Sequence, residues 1–144
     1  MKINVLGINF DNLTLEQAAA KGADMLREDK FHYVVTPNPE FILSAEKDES
    51  FRSILNGADL VIPDGIGVIY SAKILGTPLP ERVPGIEFAA KMLEQLNEMG
   101  GRLFLLGAKP GVADRPARIF WPSIPILCCA APRTAISRMR RTSS

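Results

Sequence analysis

Residues 32–45, HYVVTPNPEFILSA, pass from a β-branched run into an Asn-Pro helix start within seven positions. His32–Thr36 has the composition of a short strand, closed by Pro37. Asn38 is a strong N-cap type, and a proline at the first helical position lacks only a donor that the helix would leave unused. The helix that follows has Phe41, Ile42 and Ala45 as its apolar face. The same alternation recurs at 58–68, ADLVIPDGIGV. There a strand over Asp59–Ile62 stops at Pro63, and Gly65–Leu75 is apolar enough for a mostly buried helix.

Working outward, Lys2–Leu6 and Arg102–Leu106 supply two more strand signals, each closed by glycine. Thr14 with Gln17 makes a capping box, followed by Leu15, Ala18, Ala19, Gly22, Met25 and Leu26 at helical spacing. A short helix is predicted to carry Phe51, Ile54 and Leu55, and another over Ile86–Met99 is stopped by Gly100-Gly101. Strand and helix alternate to about residue 107. The fold class expected is therefore α/β, a Rossmann-like, mainly parallel sheet with helices on both faces.

The chain has 144 residues, 47% apolar and 23% charged, which suits one globular domain and excludes a disordered or collagen-like chain. No run approaches the roughly 18 apolar residues of a membrane span, and the start, MKINVLGINFDN, lacks the apolar core of a secretion signal. A cytoplasmic location is expected. The adjacent Cys128 and Cys129 make no disulfide framework. No Asp-x-Asp pair occurs, and the single histidine, His32, sits in a strand pattern rather than beside Cys or acidic partners, so no metal site and no cofactor are expected.

Ligands of open α/β sheets bind beyond the carboxyl ends of the strands. The polar residues there are Thr36, Asn38 and Glu40 after the second strand, Asp64 and Gly65 after the third, and Gly107, Lys109 and Gly111 after the fourth. Taken alone, each has an ordinary structural reading. Asp64 and Asn38 serve equally as helix caps, and Glu40 suits a helix's first turn. Arg82, in a loop stiffened by Pro78, Pro80 and Pro84, reads as a solvated charge paired at most with Glu81. Gly107–Gly111 is a tight strand-to-helix turn that lacks the dinucleotide and phosphate-loop fingerprints.

The strings VVTPNPEF, ADLVIPDGIGV, LGTPLPERVPG and FLLGAKPGVA, in this order and spacing, resemble the WecG/TagA/CpsF family of bacterial glycosyltransferases, which includes teichoic-acid N-acetylmannosaminyltransferases. The resemblance covers Met1 to about Asp114. It implies inverting transfer of N-acetylmannosamine, or a related sugar, from a UDP-sugar donor to an undecaprenyl-diphosphate-linked N-acetylglucosamine acceptor. By position, it implies Asp64 as the base and Arg82 as the cation on the departing diphosphate. It also implies substrate contacts at Thr36, Asn38, Gly65, Gly107, Lys109 and Gly111, with Gly65 and Gly67 leaving room for a substrate. Contact with the cytoplasmic face of the membrane is implied for intact relatives only. A non-catalytic nucleotide-binding α/β module with a basic tail is the alternative reading.

Residues 115–144 differ from the rest. They hold six arginines and no acid, whereas residues 1–114 carry a net charge of −5. Four prolines interrupt this segment. Starting each codon one base earlier lets Ser123-Ile124-Pro125 encode Lys-Tyr-Pro and Ala135-Ile136-Ser137 encode Gly-Tyr-Phe, both of which belong to the family's continuation. The expectation is an out-of-frame, poorly ordered basic tail with no nucleic-acid role after a truncated glycosyltransferase domain (1–114). An uncovered sheet edge or face would then invite self-association, and the 144-residue chain would show no measurable transfer.

Overall fold

The computed structural model describes residues 1–106 and the strand Ile126–Cys129. The chain divides into two compact units, Met1–Leu93 and Glu94–Ser144. The elements are β1 (Lys2–Val5), β2 (Ile8–Asp11), α1 (Leu15–Arg27), β3 (Val34–Val35), α2 (Pro39–Lys47), α3 (Glu49–Asn56), β4 (Leu60–Val61), α4 (Ile66–Ile74), α5 (Gly85–Glu98), β5 (Leu103–Leu106) and β6 (Ile126–Cys129).

The helices follow the capping chemistry closely. Thr14 and Gln17 form both bonds of the capping box at α1, and Asn38 caps α2 by accepting from the Phe41 amide at 3.1 Å. Asp48 does the same for α3, accepting from Phe51 at 3.0 Å.

The strand pairing departs from the sequence expectation at β1. β1 does not join a parallel sheet; it pairs antiparallel with β2, Val5 opposite Ile8. Leu6 and Gly7 both have positive φ, 49° and 89°, the requirement of the two-residue turn that matches strand twist. Reading Gly7 only as a strand stop hid this hairpin. Asn56 holds it to α3, accepting from the Asn9 amide and donating to the Gly7 carbonyl, both at 2.9 Å.

β3 and β4 pair in parallel, as do β5 and β6, so the described residues form an α/β fold with three two-stranded ladders, the last two parallel as expected. β3 and β4 are two residues each, and Pro37 has no N–H to continue the ladder. Single bonds extend the pairing nonetheless, from Asp59 N–H to the Tyr33 carbonyl (3.1 Å) to Asp64 N–H on the Pro37 carbonyl (3.3 Å).

Within the first unit this ladder is covered on both faces. Val61 lies in a cluster with Val5, Ile8, Phe10, Ile42, Leu55 and Val68, from the hairpin and α2–α4. Leu60 and Ile62, one residue either side, lie in another with Ala18, Val83 and Phe88, from α1, the loop before α5, and α5. The alternation is the two-residue period of a strand buried on both faces.

α4 was expected to be mostly buried, yet only one face is. Val68 and Ala72 are fully buried, whereas Ile66, Tyr70 and Ile74 are 54%, 59% and 85% exposed. Val68 and Ala72 lie in the core with Ile69 packed beside them, although the helix is apolar on nearly every side.

β6 lies inside the segment expected to be poorly ordered, in the proline-free run between Pro125 and Pro132. Gly107, Lys109, Gly111 and the rest of 115–144 lie outside the described residues. Among the described residues no helix is long and apolar enough to cross a membrane.

Candidate functional site

Two strand ends build the site. β3 leads through Thr36 and Pro37 to the α2 cap at Asn38; β4 leads through Ile62 and Pro63 to Asp64 and α4. The bond from Asp64 N–H to Pro37 O sets these two exits side by side. A third segment closes on them, because Val83 N–H donates to the Pro63 carbonyl at 3.0 Å and brings the start of α5 against Asp64.

The Gly85 amide donates to Asp64 Oδ2 at 3.3 Å. A Cβ built on Gly85 would lie 3.1 Å from Thr36 Cγ2, 3.2 Å from Thr36 Oγ1 and 3.4 Å from Asp64 Oδ2. Thr36, Asp64 and Gly85 thus meet at one spot. Thr36, Asn38 and Asp64 are half-buried, so each is held in place while part of its surface meets solvent.

Asn38 uses its side-chain oxygen to cap α2, which leaves the amide nitrogen for other contacts. Gly65 takes φ +109°, a conformation that L side chains rarely adopt. Protein fills the space beside Gly67. A Cβ on Gly67 would lie 2.8 Å from Pro39 Cγ and one on Gly65 3.4 Å from Pro39 Cδ. The bareness of Gly67 lets the start of α4 pack on the start of α2.

Arg82 is exposed and lies next to Val83, the residue bonded to Pro63. Its neighbour Glu81 does not pair with it. Glu81 Oε1 accepts a short hydrogen bond from the Leu15 amide at the start of α1, anchoring the proline-rich loop from the other side. Gly85 was the residue missed by sequence reasoning. Its signal was its place in VPG before an amphipathic helix.

His32 also differs from the sequence reading, which gave it no acidic partner. Its Nε2 lies 3.2 Å from Glu28 Oε2, and Nδ1 lies 3.1 Å from Asp59 Oδ1. The Tyr33 amide, and then the imidazole, hold the Asp59 carboxyl below its ordinary range. Lys30 does most to hold Glu28 below its own. A cavity of about 390 Å³ opens beside this cluster, lined by Met25, Phe31, His32, Phe88 and Met92 among others. It includes none of the residues singled out at the strand ends. Among the described residues no three His, Cys, Asp or Glu side chains come together as a metal site.

Comparison with known proteins agrees with the motifs. The model of the glycosyl transferase WecG/TagA/CpsF family matches residues 3–134. The chain is 30% identical over 115 residues to proteins named N-acetylglucosaminyldiphosphoundecaprenol N-acetyl-beta-D-mannosaminyltransferase from Staphylococcus aureus strains NCTC 8325, COL and N315. That alignment covers 78% of this chain and 45% of each relative, so the chain spans less than half the length of the curated relatives it matches. With the four ordered motifs and a match over most of its length, the chain belongs to the WecG/TagA/CpsF glycosyltransferase family.

Proposed function

We propose that this protein serves in an inverting glycosyltransferase that moves N-acetylmannosamine, or a related sugar, from a UDP donor to a lipid-diphosphate-linked N-acetylglucosamine, in teichoic acid or surface polysaccharide synthesis. The reading rests on one observation above the others: Thr36, Asp64 and the Gly85 amide converge at the carboxyl ends of β3 and β4. Direct displacement at the sugar carbon needs a base for the acceptor hydroxyl and positive charge for the departing diphosphate.

Asp64 takes the first part. Its Oδ2 accepts from Gly85, so Oδ1 is the oxygen that receives the hydroxyl proton as the new glycosidic bond forms. Arg82 takes the second part, its planar fork suited to two diphosphate oxygens. Thr36 and the Asn38 amide nitrogen bind sugar hydroxyls or the acetamido group. Backbone amides of Gly107–Gly111, with Lys109, serve the nucleotide. The lipid-linked acceptor puts the work at the cytoplasmic membrane face.

The test is UDP binding by the 144-residue chain, together with sugar transfer by the product of the gene reframed after codon 114. UDP binding and donor-dependent transfer are expected. UDP binding with no transfer in the reframed protein would instead favour a non-catalytic nucleotide-binding module.

A further inference from the structure

We propose that Gly85 is a positioning residue for Asp64, acting through its amide and through the absence of a side chain; the inference rests on the transferase reading above. The first amides of a helix have no partner within it, and Gly85 is the first residue of α5. Pro84, just before it, has no side-chain acceptor to cap them. Asp64, from another element, supplies the acceptor for Gly85.

The glycine is not there for its backbone conformation. Gly7, Gly65, Gly76 and Gly100 have positive φ, and Gly85 is not among them. Space explains it. An alanine methyl would press on both Thr36 atoms and on Asp64 Oδ2 at 3.1 to 3.4 Å, tighter than or at the edge of ordinary contact. Thr36 is held by the strand exit and Asp64 by the Pro37 bond, so the side chains around the methyl must turn. The orientation in which Oδ2 meets the Gly85 amide depends on residue 85 having no Cβ.

A purely structural role predicts a different outcome from a positioning role. Replacing glycine by alanine in a helix normally helps stability, through propensity and through the unfolded chain. Here the crowding at Thr36 and Asp64 opposes that gain, so Gly85→Ala should leave the melting temperature nearly unchanged while displacing the carboxylate.

Amide hydrogen exchange on the 144-residue chain reads the contact directly. The Gly85 amide should exchange slowly, and Asp64→Ala should speed it at least tenfold while the Val83 and Phe88 amides change less than twofold. Asp64→Asn, which keeps the shape, guards against a folding defect. A fast-exchanging Gly85 amide, or one indifferent to both Asp64 variants, overturns the inference whatever the activity. In the reframed transferase, Gly85→Ala should lower kcat at least tenfold with the donor KM within twofold. Full kcat in Gly85→Ala where Asp64→Asn has lost it overturns the inference and leaves the transferase reading standing. Full activity in Asp64→Asn overturns the reading itself.

Discussion

Asp11 Oδ2 accepts a 2.9 Å hydrogen bond from the Val61 amide, so a side chain of the hairpin satisfies the β4 edge that faces away from β3. Asp11 is 7% exposed, and Lys21 Nζ sits 3.2 Å and Lys2 Nζ 3.6 Å from its oxygens. One buried carboxylate thereby fixes the strand whose end carries Asp64.

Asp11→Ala is expected to cost about 3 kcal/mol, because it strands a buried amide and removes a charge with two partners. Asp11→Asn keeps an acceptor and should cost about 1 kcal/mol. Urea unfolding of the two variants checks the order. Equal, negligible losses would mean that the β4 edge finds another partner.

Glu81 ties the Arg82 loop to α1 through the Leu15 amide. Glu81→Ala should lower stability by about 1 kcal/mol, the usual value of a lost helix cap. It should also make the 77–84 loop the first site of proteolytic cleavage within residues 1–93. Unchanged cleavage there would show that the prolines alone hold the loop.

Stability should fall on acidification through the Glu28–His32–Asp59 cluster. Asp59 and Glu28 have folded values below their unfolded ones, so their contribution is fully present above the ordinary carboxylate range of about 4 and is lost as pH falls through the folded values. Asp59→Asn should flatten the pH dependence of urea midpoints below about pH 5. An unaltered slope would place the acid sensitivity elsewhere.

Much of this fold was legible because its helices are started by side chains adjacent in sequence. Thr14, Gln17, Asn38 and Pro39 each act within three residues of where they stand. The hairpin was missed because Leu6, a poor residue for positive φ, hid a turn that Gly7 alone suggested. At the site, Asp64 and Thr36 were visible as polar residues after apolar strands. Gly85 was not, because its role depends on a neighbour 21 residues away. Likewise Asp59 beside His32 and Val61 beside Asp11 come from separate elements, and sequence spacing carries no sign of them.

Arg82→Ala should slow transfer in the reframed enzyme by removing positive charge from the departing diphosphate, with Arg82→Lys recovering only part. Steady-state rates of the three forms decide this. Equal rates for Lys and Arg would count against recognition by a planar fork.

The central claim is that Asp64 is the base at the joined ends of β3 and β4. The most direct measurement is sugar transfer by the reframed enzyme with Asp64→Asn, alongside UDP affinity of the same variant. Asparagine keeps the shape but takes up no proton, so turnover should fall by about a hundredfold or more while UDP affinity stays within about twofold. Full turnover in Asp64→Asn would contradict the account.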